Sequence, residues 1–445
     1  MADVLSTKAI ESAAKRRIHG AALGYQPHRM KPVHFATGFI QALTGRQFKL
    51  ELLNQAAVPK ASPKDADRPD AYLVDAVGAA MSDAGALLPA ADMTSLRLLR
   101  SHLNAVLNND GGMFPFFKPY SSQSNDYTAP SAEYVSAQSK NHGHSGLFVV
   151  RAFIATPDGR EFLDHARKIL AECAPPQADF GRPLLDLEPV EWEDKYDELF
   201  GPVDESRFAA ASDLMHRQTT ALVKLARNLL TRRPIYAVRY LVLGVCSWLY
   251  LYMMRRSGND PLLLIDACQG RSRRIRAQSC ASYARQINIW SGSYDAWYAQ
   301  ESDKQAFRWD LFETDDKARR EIDEHYRDFG VRIGFVQPRA SQARQKHFEL
   351  LPDTLRVLAF SMLENGEVLT FPDFADRLRD LWGLCTGGGS NDGDLLFAAG
   401  FTPLDEDDDL RLNAEGFRSL LVGLGLAVEP SDGLVLCAID AAELI

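Results

Sequence analysis

Ile235-Tyr-Ala-Val-Arg-Tyr-Leu-Val-Leu-Gly-Val-Cys-Ser-Trp-Leu-Tyr-Leu-Tyr-Met-Met254 is the stretch on which the reading of this 445-residue chain turns. Its 20 residues are long enough, as a helix, to cross a bilayer core. Arg239 interrupts the run and leaves 15 uncharged residues behind it, short of the roughly 18 that a span requires. Arginine pairs flank the run at Arg232-Arg233 and Arg255-Arg256. The pattern predicts a buried helix inside a large helical core and no membrane contact. A span with Arg239 snorkelling to one surface is the alternative.

Outward from this run the chain is strongly basic. An amphipathic segment, Gln218 to Leu230, precedes it; the strand-like Pro261-Leu-Leu-Leu-Ile-Asp266 and then Arg271-Ser-Arg-Arg-Ile-Arg276 follow it. From position 216 to 290 there are 13 Lys and Arg against Asp260 and Asp266, a net +11 in a chain whose total is −9. Such a block needs an anion, either the protein's own carboxylates or a ligand's phosphates. Ser272 is placed to cap a helix toward Ile289, which puts Arg273, Arg274 and Arg276 in its first turns. There the helix dipole disfavours cations by about 0.3–1 kcal/mol each, and a bound anion reverses that sign. The candidate nucleic-acid-binding residues are therefore Arg271, Arg273, Arg274 and Arg276, supported by Arg232, Arg233, Arg255 and Arg256. Internal salt bridges are the competing use of the same side chains.

The rest of the chain divides around this block. Residues 1–173 read as an N-terminal helical domain, with helices over Lys8 to His19, Phe35 to Leu43, Asp92 to Asn108 and Asp158 to Ala171. A long irregular loop spans 111–146, and Leu147 to Ala155 reads as a strand. Residues 174–206 read as an acidic, proline-rich linker with ten carboxylates against Arg182 and Lys195, net −8. It is the nearest source of internal neutralisation. Residues 207–340 form a basic central helical domain, and a polar stretch near Gln337 to Lys346 separates it from residues 346–445.

In that last segment, helices are expected over Leu351 to Leu363, Phe371 to Leu384, Leu395 to Ala399 and Asn413 to Leu424, the last capped by Asn413. Gly387 to Gly393 reads as a mobile turn, and Leu426-Ala-Val and Leu434 to Ile439 as a hairpin around Pro430-Ser-Asp-Gly433. Helices closing on a hairpin resemble a winged-helix domain, and that resemblance implies a DNA reader. The charges point elsewhere: six basic and 19 acidic residues from Lys346 to Ile445 give −13, which repels a duplex. Protein docking is the expected role, and direct reading survives only if Arg377, Arg379, Arg411 and Arg418 share one face.

Composition excludes several classes. No CxxC occurs among the six scattered cysteines, so neither a zinc site nor a disulfide framework is expected. The N-terminus does not read as a secretory signal, so a cytoplasmic location is expected. No P-loop, GxGxxG, GxSxG or HExxH is present, so no catalytic residue, metal or cofactor is assigned. His142 and His144 lack a third ligand at a recognisable spacing. Asp186 with Glu193-Asp194-Lys195 has the bare shape of a metal-dependent nuclease motif, but on a linker instead of strands. The expected fold class is mainly α, a multidomain helical protein with a C-terminal winged-helix-like domain. Such a body resembles the accessory subunits of bacterial phage-defence systems. The resemblance implies a non-catalytic subunit that binds nucleic acid, DNA in preference to RNA, and docks a partner protein. A purely architectural scaffold and a cryptic nuclease are the alternatives.

Overall fold

The computed structural model describes residues 18–20, 22–25, 32–44, 144–172, 213–233, 236–256, 262–302, 316–338, 345–431 and 433–441. Most of these residues are helical. Numbered along them, the elements before the central loop are α1 (Pro32–Thr44), α2 (His144–Ile154), α3 (Pro157–Glu172), α4 (Asp213–Arg232) and α5 (Ala237–Arg256). β1 (Leu263–Leu264), α6 (Arg273–Ser302), α7 (Asp316–Arg332) and β2 (Val336–Gln337) follow. Then come β3 (His347–Phe348), α8 (Pro352–Met362), β4 (Leu369–Thr370), α9 (Phe371–Trp382), β5 (Leu384–Cys385) and α10 (Asp392–Ala398). A π-helical turn over Glu406–Leu410, α11 (Arg411–Gly423), β6 (Ala427–Ser431) and β7 (Leu434–Cys437) complete the order.

The apolar run is α5, buried on every side from Tyr240 to Met254. It is the one described helix long and apolar enough to cross a membrane, and 94% of its most apolar window is enclosed by protein. Arg239 is tolerated because it lies in the first turn, half-buried, and reaches Asp353 at the start of α8 at 2.5 Å. α4 presents its apolar face to α3, α5 and α8. Its polar side chains fasten the C-terminal helices: Asn228 Nδ2 donates to the carbonyls of Phe360 and Leu363 at the end of α8, both at 2.8 Å, and Gln218 Nε2 to that of Leu381 on α9 at 2.8 Å. One apolar core runs without a break from Ile18 to Ile439, so the elements on either side of residues 339–344 share it.

Leu147 to Ala155 is not a strand. His144–Ile154 is helical, and Ser145 to Val150 are all buried against α1 and α3. A short apolar run enclosed on all sides carries no period, so strand and helix are indistinguishable by pattern. The helix at Ser272 also runs further than expected, to Ser302. Helices Lys8 to His19 (beyond 18–20) and Asp92 to Asn108, most of the loop 111–146, and the linker 174–206 lie outside the described residues, as do Asp186, Glu193, Asp194 and Lys195.

After α8 the chain forms a three-stranded antiparallel sheet in the order β4-β7-β6, with Leu369 opposite Cys437 and Ala427 opposite Cys437 on the other side. The hairpin was legible; β4, two residues long, was not. Between α9 and α11 lies an insertion, residues 383–410, whose β5 turns back to pair in parallel with β1, Leu263 opposite Leu384 and Leu264 opposite Cys385. The glycine-rich turn at its start is pinned rather than loose. Asp376 accepts from the Ser390 backbone (3.0 Å), the Ser390 hydroxyl (2.8 Å) and Arg379 (2.6 Å), while Asp392 takes Gly389 N–H and Arg379. Burial raises the Asp376 pKa, but these bonds outweigh it and hold it below the usual carboxylate range. A depressed carboxylate contributes stability above its unfolded pKa of about 4 and loses it as pH falls through the folded value. The stability gap between wild type and Asp376→Asn, measured by urea denaturation, is expected to be full near neutrality and to shrink on acidification. A pH-independent gap contradicts this.

Candidate functional site

Two residues beyond the buried strand β1 stands Asp266, whose side chain is fully buried. Its Oδ1 accepts from the Gly270 backbone at 3.1 Å and the Cys268 thiol at 3.3 Å, and its Oδ2 takes Arg276 Nε. This closes the loop 266–272, which needs left-handed backbone at Gln269 (φ 54°) and Gly270 (φ 79°). Glycine meets that demand at low cost at the second position. Ser272 then caps α6 as its place in the sequence predicted, its Oγ accepting from Ile275 N–H at 3.1 Å. The Cys268 thiol lies under the loop, and burial pushes its pKa up, so it is an inert packing group.

A carboxylate of the chain itself reaches the start of α6. Asp409, the last acid of the run Asp405 to Asp409, takes the Ser272 hydroxyl at 2.8 Å and faces Arg274 at 3.5 Å. Leu404 and Leu410 on either side pack into a small apolar cluster with Leu264, Cys268, Ile275, Cys385, Leu396 and Phe401, and that packing turns Asp409 inward. Beneath the loop, Asn413 of α11 is fully buried: it is no helix cap. Its Oδ1 accepts from Ala267 N–H (2.9 Å) and Cys268 N–H (3.0 Å), and its Nδ2 donates to Ile265 O and Thr386 O, both at 2.8 Å. One turn on, Gly416 meets the same loop so closely that an added Cβ would lie 2.5 Å from Ala267 O. Neither role was visible in sequence, where Asn413 reads as a cap.

The eight candidate arginines occupy separate places. Arg232 pairs with Asp440 and donates to Asn365 Oδ1 at 2.6 Å, and Arg233 pairs with Glu172 at 2.6 Å. Arg255 donates to Gln218 Oε1 at 2.7 Å and Arg256 to Ala22 O at 3.3 Å. Gln218 and Arg232 are 14 residues apart on α4, about 21 Å of helix, so these two pairs do not form one surface. Arg276 is held by Asp266 and lies 3.8 Å from Glu349. Arg271, Arg273 and Arg274 are exposed at the start of α6: Arg271 Nε donates to the Cys268 carbonyl at 3.2 Å, and Arg274 is 71% exposed. Arg377 and Arg379 lie on α9 and Arg411 and Arg418 on α11, so the four are not on one helix face. They pair with Glu367, with Asp376, Asp380 and Asp392, with Glu415 and with Glu429. No group of three His, Cys, Asp or Glu side chains able to hold a metal occurs among the described residues. No family model matches this chain, and no curated protein or solved structure matches it.

Proposed function

We propose that this chain is a non-catalytic interaction subunit of a multiprotein assembly acting on nucleic acid, with its C-terminal unit a winged helix used for protein contact. The order α8, β4, α9, α11, β6, β7 with sheet order β4-β7-β6 supports the winged-helix reading. One observation carries the choice of role. α11, the helix that enters the major groove in winged-helix DNA readers, packs through Asn413 and Gly416 on the loop 266–272, outside the C-terminal unit. The two arginines of that helix pair with Glu415 and Glu429. Bacterial phage defence is the setting that the whole-chain resemblance implies.

A second reading assigns phosphate contact to Arg271, Arg273 and Arg274, because they are exposed at the start of α6, Arg274 even with Asp409 3.5 Å away. Three phosphate contacts give a salt slope of about −3 on duplex DNA. Labelled duplex and single strands are titrated at two salt concentrations. Arg271→Glu/Arg273→Glu/Arg274→Glu is expected to lower affinity roughly tenfold or more and flatten that slope, whereas Arg411→Glu/Arg418→Glu leaves binding unchanged. Loss of binding in the second variant makes α11 a reader and overturns the docking role. Equal binding by the wild type and the triple variant removes the phosphate contact and leaves an architectural scaffold.

A further inference from the structure

Of the three exposed arginines at the start of α6, one is answered by a carboxylate of the chain itself. Asp409 is buried, and its side chain accepts from the Ser272 hydroxyl at 2.8 Å and stands 3.5 Å from Arg274. Among the described residues no carboxylate lies within ion-pair distance of Arg271 or Arg273. The backbone fixes the aim of Asp409. It lies on the π-helical turn Glu406–Leu410, where Asp409 N–H and Leu410 N–H both bond back to the Asp405 carbonyl, at 2.8 and 3.0 Å. Such turns are uncommon and recur at functional sites. Asp405 N–H donates to Asp409 Oδ2 at 3.4 Å, and Leu404 and Leu410 anchor the turn on the apolar cluster under the β1 loop. A carboxylate tied at both oxygens stays in place when another anion approaches.

A phosphate that reaches Arg274 therefore meets a fixed negative charge on the far side of the same guanidinium. Two anions separated in that way by about 7 Å repel enough to weaken binding about threefold, even at the dielectric constant of water. We propose that Asp409 is an autoinhibitory contact: it competes with nucleic-acid phosphate for Arg274, so that Arg274 contributes less to binding than Arg271 and Arg273. The inference rests on the phosphate contact assigned to these three arginines and describes what restrains it. Arg274 is 71% exposed, so the restraint is one that salt weakens.

The test titrates a labelled duplex against the full-length chain at two salt concentrations. Asp409→Asn keeps an acceptor for the Ser272 hydroxyl and removes the charge. It is expected to bind about threefold tighter than wild type at the lower salt, with a smaller gain at the higher. Asp408→Asn makes the same charge change on the neighbouring, exposed residue and is expected to gain less. In an Arg274→Gln background the gain from Asp409→Asn disappears, because both changes act on one pair. A comparison that leaves Asp409 in place guards against a poorly folded asparagine variant: Arg274→Gln alone costs less affinity than Arg273→Gln alone. Matching urea denaturation curves check folding. Equal losses at Arg273 and Arg274 overturn the autoinhibition and leave the phosphate contact standing. So does a gain from Asp409→Asn that is absent, equalled by Asp408→Asn, or kept in the Arg274→Gln background. If wild type and Arg271→Glu/Arg273→Glu/Arg274→Glu bind alike, phosphate contact and autoinhibition fail together.

Discussion

Asn413→Ala is expected to lower the stability of the chain by about 3 kcal/mol, because it takes a bond from four buried backbone groups and leaves among them only the 3.1 Å bond from Ala267 N–H to Ile265 O. The carboxamide satisfies two N–H groups of the β1 loop and two carbonyls, one from the end of β1 and one from the end of β5. Asn413 itself has no exposure, so its truncation leaves these groups facing a closed space. Asn413→Asp retains the acceptor for both N–H groups but turns a carboxylate oxygen toward the carbonyls of Ile265 and Thr386. It is expected to cost nearly as much near neutrality and less in acid, where the protonated oxygen donates one bond. Urea denaturation followed by tryptophan fluorescence gives the comparison. A loss below about 1 kcal/mol for the alanine variant refutes the assignment of Asn413 as the tie between the C-terminal unit and the central loop.

Asp266→Ala is expected to cost about 3 kcal/mol, since removing one partner of a buried ion pair leaves the other uncompensated. Arg276 is 32% exposed in its side chain, and that access to water keeps the figure below the loss for a fully enclosed pair. The same change frees Gly270 N–H and the Cys268 thiol, so the loop 266–272 loosens and Ser272 loses its fixed approach to α6. Cys268 therefore becomes reactive toward a thiol reagent in the variant at a rate well above that of the wild type. Unchanged labelling with unchanged stability contradicts this account. Arg276→Met keeps the loop bonds but leaves the fully buried Asp266 carboxylate without its cation, and is expected to cost at least as much as Asp266→Ala.

How far the sequence led depended on whether a residue's neighbours in space were also its neighbours along the chain. α5 was legible because its length and apolar content sufficed, and Ser272 because a cap acts within one turn. α2 was misread because the same logic, applied to a run of only 11 residues, has no period to use. β4 and β5 are two residues each and exist only through partners far along the chain, at Leu436 to Cys437 and at Leu263 to Leu264. The anion facing Arg274 was sought in the adjacent linker and found in Asp409, 135 residues away. Charge counting placed a carboxylate near the basic block, but only packing decided which one.

The parallel pairing of β1 with β5 also sets an order of events during synthesis. Leu263 waits for Leu384, and at about 5–20 residues per second the ribosome takes on the order of 6–24 s to make what lies between. Throughout that interval α5 has been translated while α8, one of its walls, is incomplete or absent for much of the time. A nascent chain in this state offers chaperones a long apolar helix, and a shortened transcript ending before residue 384 yields a polypeptide prone to clump instead of a smaller working protein.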